Sequence, residues 1–363
     1  MLAEKLNSAM DLFKTKSPTL IGIDIASTSL KLVELSDAGK GTYRLERYAI
    51  EPLPKDVVTD GNISNLDQVS DALKRAWKRL GSRNRHVALA LPAAMVITKK
   101  IIVPSGQKEE DLELTVEAEA NQYIPFALDE VNLDFQVLGP APNNPDEVEL
   151  LIAASRKEKV EDRVAIAEAA GLKPRVMDVE SYATQEAFRL ITPALPANGR
   201  DQNIALVDIG AHITHFYVLR NNQFLFSRDQ AFGGNQLTQD IQRAFNLSSD
   251  EAESARRNQG LPENYDHDVL QPFMESLALE VTRALQFFFT STSYNQVDQI
   301  VLAGGCALLP GLDELVAKRA GVATVVANPF AAMQTSERIR PRQLAQEAPM
   351  LMIATGLAMR SFE

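Results

Sequence analysis

The sequence predicts an α/β fold made of two related halves. Two stretches carry this prediction, residues 20–35 and residues 204–219, and each reads as a strand, a tight turn and a second strand. Asp24 aligns with Asp208 when the two stretches are superposed without a gap. A supersecondary unit that recurs at this separation indicates two half-domains built on one plan.

The turn of each hairpin has the composition of a phosphate-binding loop. Small residues let backbone N–H groups and hydroxyls converge on an anion, and a carboxylate at the end of a strand can face a metal ion. One such turn would be weak support, because a strand that ends in Asp is usually an ordinary buried-strand terminus. Residues 301–312 strengthen the interpretation, since a buried strand there runs into Gly304 and Gly305 and then a helix. Backbone at a double glycine can approach a flat ligand closely.

In this order the three stretches resemble the phosphate 1, phosphate 2 and adenosine motifs of the actin-like ATPase superfamily. Within that superfamily the chain is similar to the PilM family of type IV pilus assembly proteins, relatives of the cell-division protein FtsA. The likeness extends over nearly the whole chain and includes residues 21–24, 117–126, 131–135 and 208–211. It implies an actin-like (ribonuclease H-like) fold, with duplicated domains around a nucleotide cleft and an inserted FtsA-like 1C subdomain.

The resemblance also implies which residues bind ATP and Mg²⁺. Asp24 and Asp208 would hold Mg²⁺, mostly through water. The implied ATP contacts are Ser27, Thr28, Ser29 and Lys31 in the first turn, Gly210, Ala211 and Thr214 in the second, Gly233 and Gly234 at a helix start, Glu253 at the ribose, and Gly304 and Gly305 in the adenosine motif. Ordinary interpretations remain open for two of these sets. The glycine pair is equally typical of a plain helix start, and Glu253 of an exposed first-turn glutamate.

Hydrolysis of ATP requires a further polar group that positions a water molecule near the γ-phosphate. Glu119 and Gln122 are the candidates, on the expectation that they belong to a helix connecting the domains. Two departures from the superfamily pattern weaken the expectation of hydrolysis: Ala26 stands where many members have Gly, and the bulky His212 replaces a small hydroxyl residue. The sequence therefore predicts ATP binding with weak or absent turnover.

The chain divides into five expected units. Residues 1–17 read as an amphipathic tail, and residues 85–154 as the inserted 1C-like subdomain. The first actin-like domain (1A) comprises residues 18–84 and 155–195 and is completed by 349–363, the second (2A) comprises 201–235 and 298–348, and subdomain 2B comprises 236–297. A long helix predicted over residues 269–293 contains three successive phenylalanines, Phe287, Phe288 and Phe289, which predict burial on nearly all sides.

Composition excludes several classes of function. With 363 residues, 45% of them hydrophobic, the chain can bury the cores of two ordinary domains. A net charge of −11 argues against a general nucleic-acid coat, and the single Cys306 indicates a reducing cytoplasm. The four scattered histidines give no support for a zinc site. Since no apolar run approaches the roughly 20 residues needed to cross a bilayer, we expect membrane association through partners alone.

Taken together, the resemblance implies a cytoplasmic ATP-binding scaffold of the type IV pilus inner-membrane platform, peripheral to the membrane through its partners. The implied partner is the cytoplasmic N-terminal tail of a PilN-like inner-membrane protein, docked on residues 86–154 and the edge of the first domain. Other platform proteins and motor ATPases are further candidates, and self-association is left open. An FtsA-like filament-forming protein and a small-molecule kinase of the same superfamily are the alternatives. The kinase would need an acceptor-activating Asp that the sequence does not identify.

Overall fold

The structure is a computed structural model that describes residues 19–39, 41–142, 144–257 and 260–362. The amphipathic tail predicted for residues 1–17 lies outside these ranges. No helix among the described residues combines the length and the hydrophobicity needed to span a membrane.

The first half of the chain opens with three antiparallel strands that share one buried face. The elements in order are β1 (Ile21–Ile25), β2 (Ser29–Gly39), β3 (Thr42–Pro52), the short strands β4 (Val58–Thr59) and β5 (Asn62–Ile63), α1 (Leu66–Leu80) and β6 (His86–Leu91). The side chain of Asn65 caps the start of α1, and Gly81, with a φ of 66°, ends it. The apolar face of α1 packs on β1 and β2 in a core that includes Ile23, Leu32 and Leu73.

An inserted module follows, which we call the insert and define as residues 97–156. It consists of β7 (Ile97–Pro104), α2 (Glu109–Tyr123), β8 (Val131–Ala141) and β9 (Asn144–Arg156). The three strands form an antiparallel sheet in the order β7-β9-β8, and α2 covers one face of it. The expected boundaries, 85–154, were therefore wrong at the start. β6 pairs in parallel with β1, and its residues are almost all buried, so it belongs to the first domain.

The chain then returns to the first domain through α3 (Lys157–Ala169), β10 (Lys173–Val179) and α4 (Glu180–Phe188). The second half repeats the opening of the first. Its elements are β11 (Ile204–Ile209), β12 (Thr214–Arg220), β13 (Gln223–Gln230), α5 (Gly234–Phe245), α6 (Ser249–Arg257), α7 (Gln271–Ser291), β14 (Gln299–Gly304), α8 (Leu312–Ala320) and β15 (Thr324–Val326).

The chain ends with β16 (Gln334–Thr335), α9 (Pro341–Glu347) and α10 (Met352–Met359). The first sheet has the order β10-β6-β1-β2-β3-β16, and the second has the order β13-β12-β11-β14-β15. Apart from β16 the two orders are the same: an antiparallel three-stranded meander on one side and two parallel strands on the other. This is the duplicated actin-like topology that the two hairpins predicted.

The end of the chain corrects a second expected boundary, because residues 334–348 do not belong to the second domain. β16 pairs in parallel with β3 of the first sheet. Ile339 and Leu344 pack in one cluster with Leu45 and Val33 of the first sheet. The buried apolar residues in the range 330–351 therefore complete the core of the first domain.

The two sheets face each other across α4 and α10. Alternate residues of β11 divide between two cores: Val207 and Ile209 face α5 and α7, whereas Ile204 and Leu206 face α4. Close approach between these layers requires glycine at two positions. A Cβ atom on Gly22 would overlap the backbone of α10, and one on Gly356 would overlap the backbone of α4. Asp208 is two residues after Leu206 on β11, so its side chain also points to the α4-facing side of the second sheet.

The long helix α7 differs from its predicted burial. Phe288 is fully buried, but Phe287 is 50% exposed and lies beneath the guanidinium of Arg228, 3.6 Å from the ring centroid. Successive helix residues point about 100° apart, so three adjacent aromatic residues cannot all face one core. The three phenylalanines led to the prediction of a helix end buried on nearly all sides. The sequence alone does not show which face of α7 the second sheet covers.

Candidate functional site

The first carboxylate of the cleft is held by a partner on the neighbouring strand. Asp24 on β1 lies opposite Lys31 on β2, and the Lys31 Nζ atom is 2.8 Å from Asp24 Oδ2. Asp24 is 3% exposed, and its second oxygen, Oδ1, is buried without a hydrogen-bond partner among the described residues. An unsatisfied buried carboxylate oxygen is costly, so this atom is available to a ligand or to an ordered water molecule.

The turn that follows Asp24 presents three hydroxyl groups. The Ala26 N–H donates to the Ser29 carbonyl at 3.2 Å and closes the turn. Within the described part of the chain, the hydroxyls of Ser27, Thr28 and Ser29 make no side-chain hydrogen bonds. These hydroxyls are therefore free to donate to an anion.

The second hairpin places Asp208 in the same cleft. Burial raises the pKa of the Asp208 carboxyl, the nearby charge of Asp24 adds to the rise, and the charges of His215 and Lys31 oppose it. Asp24 and Lys31 come from the first half of the chain, and Asp208 and His215 from the second. From their mutual electrostatic influence we infer that the two strand ends predicted by the repeat lie at one site.

Backbone hydrogen bonds connect the second turn to the glycine pair at the start of α5. The Gly210 N–H donates to the Ile213 carbonyl at 3.0 Å, which closes the turn. The Gly210 carbonyl accepts a hydrogen bond from the N–H of Gly234 at 2.9 Å, and the Ala211 carbonyl accepts one from the N–H of Asn235 at 2.8 Å. The second turn and the start of α5 therefore form one rigid unit.

Glycine is required where these loops touch. A Cβ atom on Gly233 would lie 2.6 Å from the carbonyl oxygens of Gly210 and Ala211. Gly304 has a φ of 87°, and a Cβ atom there would lie 2.6 Å from Asp208 Oδ1. A Cβ atom on Gly305 would meet nothing within 4 Å. Gly304 thus permits contact within the fold, whereas Gly305 faces open space where a flat ligand can lie.

Thr214 has a different position from the one the resemblance implied. It is 3% exposed, and its hydroxyl donates to the carbonyl of Phe232 at 2.7 Å. Its side chain lies on the face of β12 opposite to His215, toward α7 rather than the cleft. Thr214 therefore fixes the backbone just before Gly233 and does not present its hydroxyl to the cleft.

Sequence reasoning missed Glu180, the first residue of α4. Burial raises the pKa of the Glu180 carboxyl to about 7, repulsion from Asp24 adds to the rise, and the charges of His215, Arg163 and Lys31 oppose it. Glu180 therefore lies close enough to Asp24 and His215 to interact electrostatically with both. A sequence signal existed, because an acidic residue directly follows β10, and ligand sites of α/β sheets form at the carboxyl ends of parallel strands.

His215 was also missed as a cleft residue. Its Nδ1 atom lies 2.7 Å from Asp229 Oδ1 on β13, the strand next to β12. Burial lowers the pKa of the His215 imidazole, but the hydrogen bond with Asp229 and the charges of Asp208 and Glu180 outweigh burial, so that the pKa lies above its ordinary value. The cleft thus contains a basic side chain from each half, Lys31 and His215.

Besides Thr214, three predicted residues are not brought into this cluster. Glu119 and Gln122 lie on α2, which packs against the sheet of the insert. The expectation that they belong to a helix between the domains was wrong, since the helix leading from the first sheet toward the second is α4. Glu253 is exposed on α6, where the neighbouring Ala252 anchors the helix to the core of the second domain.

The cleft residues fit a hydrated cation. No group of three or more His, Cys, Asp or Glu side chains within the described ranges could hold a metal ion on its own. Two carboxylates, one with an unpartnered buried oxygen, suit an ion that takes its remaining ligands from water and phosphate oxygens, as Mg²⁺ usually does. Asp24 and Asp208 are the residues that would hold such an ion.

Two sheets of one topology, joined through a cleft that both repeats line, define this chain as a member of the actin-like fold class. The chain belongs to the PilM family: the family model described as type IV pilus assembly protein PilM matches residues 22–362.

Comparison with known proteins agrees with this assignment. The chain is similar to the structure titled PilM-PilN type IV pilus biogenesis complex, with 30% identity and a TM-score of 0.78 over 96% of this chain and 99% of that chain. It is 25% identical over 349 residues to the cell division protein FtsA of Enterococcus hirae, covering 85% of this chain and 77% of that protein. A further structure, the ethanolamine utilization protein EutJ from Carboxydothermus hydrogenoformans, shares the fold at 17% identity and a TM-score of 0.56, covering 98% and 97% of the two chains.

Proposed function

We propose that this protein is an ATP-binding scaffold of the type IV pilus assembly platform, located in the cytoplasm at the inner membrane. The observation that carries the nucleotide part is the meeting of Asp24 and Asp208, the matching ends of two duplicated hairpins, in one cleft with Lys31. Membership of the PilM family supplies the pilus assembly role.

The residues of the cleft suit the separate parts of ATP. The free hydroxyls and backbone N–H groups of residues 26–29 suit the phosphates, together with the second turn and the start of α5. The open space over Gly305 suits the adenine ring. Lys31 pairs with Asp24 in the ligand-free chain, and we expect its ammonium group to contact a phosphate oxygen when ATP binds. Mg²⁺, when bound between Asp24 and Asp208, would neutralise phosphate charge.

Slow ATP hydrolysis is a second candidate function, and Glu180 is the observation that favours it. A carboxyl with a pKa of about 7 that interacts with Asp24 can orient or deprotonate a water molecule at neutral pH. This assignment replaces Glu119 and Gln122, which lie on the insert.

The insert offers a surface for the partner that the PilM-PilN structure names. The face of its sheet opposite α2 carries apolar side chains, with Ile102 57% and Leu138 43% exposed. Thr98 on the same face of β7 lies beside the Tyr182 hydroxyl of α4. We therefore place the partner's groove at this junction between the insert and the first domain. An extended tail of a PilN-like inner-membrane protein could place a few apolar anchors there, and the protein would reach the membrane through it.

Two titrations test this function in the intact chain. ATP with Mg²⁺ should bind wild type with one site per chain, and Gly305→Leu should bind at least about tenfold more weakly while folding normally, because its side chain fills open space. A synthetic PilN-like tail peptide should bind wild type and lose affinity in Ile102→Asp, but not in the control Val325→Asp, which changes a side chain that is 39% exposed on β15 of the second domain. Equal affinities in Ile102→Asp and Val325→Asp would exclude the groove, and unchanged ATP affinity in Gly305→Leu would exclude the adenine position.

A further inference from the structure

A recess separate from the cleft lies between β13 and α7. It has a volume of about 470 Å³, and its lining includes Arg228, Gln230, Glu280, Arg283, Phe287 and Thr290. We call it the β13 recess. It opens on the face of the second sheet opposite Asp208, so that it shares no residue with the nucleotide cleft.

The register of β13 explains why the recess exists. Arg228 lies opposite Phe216 on β12, and Gln230 lies opposite Thr214. Partners in an antiparallel pair point to the same face, so Arg228 and Gln230 face α7, as the buried Phe216 does. Two polar side chains thus occupy positions where the core would continue, and they leave space instead of filling it.

The outer edge of β13 is open. β13 is the outermost strand of the second sheet, and β12 is its strand neighbour within the described ranges. An edge strand exposes backbone N–H and C=O groups that can pair with another extended chain. The recess runs alongside this edge, so that a strand added to β13 would direct alternate side chains into it.

The chemistry of the recess selects an acidic and apolar ligand. Phe287, 50% exposed, offers an apolar ring edge, and the guanidinium of Arg228 stacks on its face at 3.6 Å. Arg228 makes no ion pair with any described residue, and its buried Nε atom has no hydrogen-bond acceptor. Arg283 pairs with Glu280, so the recess carries one uncompensated positive charge on a chain whose net charge is −11.

We propose that the β13 recess binds an extended acidic peptide segment of a partner protein, which adds as a strand to the edge of β13. One carboxylate of the peptide pairs with Arg228, and an apolar side chain packs on Phe287. A second copy of this chain fits less well, because the α7-facing side chains of its β13, Phe226, Arg228 and Gln230, include no carboxylate that could pair with Arg228.

The test uses a capped fluorescent peptide of about eight residues that repeats Val-Val-Glu-Glu, so that each face of the extended peptide carries both apolar side chains and carboxylates; its length matches β13. We expect saturable binding to the intact chain that weakens as salt is added. A matched Val and Lys peptide should bind at least about tenfold more weakly, since its charge opposes Arg228. Arg228→Ala and Phe287→Ala should each reduce affinity for the acidic peptide by at least about fivefold.

Two exposed residues outside the recess provide matched controls, Arg319→Ala for charge and Leu308→Ala for apolar area, and both should bind as wild type does. Equal binding of the acidic and basic peptides, wild-type affinity in Arg228→Ala, or no saturation up to about 1 mM peptide would overturn the proposal. Sedimentation of the same variants tests whether a second copy of this chain occupies the recess instead of a peptide. A dimer that becomes monomeric in Phe287→Ala would assign the recess to a second copy and would also overturn it. None of these outcomes depends on ATP binding.

Discussion

Asp24 and Lys31 face each other across the first hairpin, with Lys31 Nζ 2.8 Å from Asp24 Oδ2 and both side chains largely buried. The pair occupies the place where the resemblance puts Mg²⁺ and the β-phosphate. In the ligand-free chain Lys31 compensates the Asp24 charge, and this explains how a buried carboxylate with an unpartnered oxygen is tolerated in the fold.

Removing the lysine tests this compensation. Lys31→Met should lower the free energy of unfolding by about 3 kcal/mol in urea titrations, because it leaves a buried carboxylate without its partner. The double variant Asp24→Asn with Lys31→Met should recover part of that loss. The control Lys74→Met breaks an exposed pair with Asp71, 2.9 Å apart, and should cost less than about 1 kcal/mol. Equal effects of Lys31→Met and Lys74→Met would show that the buried Asp24–Lys31 pair contributes no more to the free energy of unfolding than an exposed pair does.

The contact between α10 and α4 gives a second prediction. Gly356→Ala should destabilise the fold by about 2 kcal/mol or more, even though alanine favours helix formation, because the added Cβ atom overlaps the Ala183 backbone. Gly305→Ala is the matched control, since a Cβ atom there meets nothing within 4 Å. Thermal or urea unfolding of both variants measures the difference. A stable Gly356→Ala protein would mean that α10 lies farther from α4 than the structure shows.

Phosphate release distinguishes the two sets of candidate catalytic residues. We expect wild type to release phosphate slowly, below about 1 per second. Glu180→Gln should lower the single-turnover rate by about a hundredfold, the usual size of a lost general base. Glu119→Gln should leave the rate unchanged, because α2 lies on the insert. Loss of activity in Glu119→Gln with retention in Glu180→Gln would reverse the assignment.

The raised pKa of Glu180 predicts a dependence of stability on pH. The pKa of the Glu180 carboxyl is about 7 in the folded chain and about 4.5 in the unfolded chain. The folded chain therefore holds this proton more tightly than the unfolded chain, which favours folding at low pH. That contribution is complete below the unfolded pKa and is lost as the pH rises to 7, so ionised Glu180 destabilises the ligand-free chain above pH 7. Glu180→Gln should therefore be more stable than wild type at pH 8, by about 3 kcal/mol, and similar to it at pH 4. An equal difference at both pH values would show that Glu180 does not titrate in this range.

Local sequence pattern was sufficient to predict the parts of the fold that are themselves local. The hairpins at Asp24 and Asp208 and the double glycine at Gly304 and Gly305 combine strand alternation with turn residues, and the structure has strands and turns where these patterns predicted them. The gapless repeat further predicted that both halves share one topology, which the strand orders confirm.

Features set by distant contacts were not predictable in the same way. β6 was assigned to the insert because the sequence pattern of a buried strand does not show which sheet the strand joins. Its parallel pairing with β1 places it in the first sheet. Residues 334–348 follow the second sheet in the chain but pack on the first. Glu180 was overlooked because its role depends on which helix crosses between the sheets. Phe287 was expected inside because its exposure depends on the path of β13.

Binding of ATP with Mg²⁺ by calorimetry tests the central claim, that the two repeats form one nucleotide site. We expect one ATP per wild-type chain and a melting temperature that rises with ATP, corresponding to about 2.7 kcal/mol when the ligand is at 100 times its Kd. Asp24→Ala and Asp208→Ala should each remove most of this stabilisation, whereas the exposed control Asp71→Ala should retain it. Wild-type ATP stabilisation in either cleft variant would contradict the assignment of a site shared between the two halves.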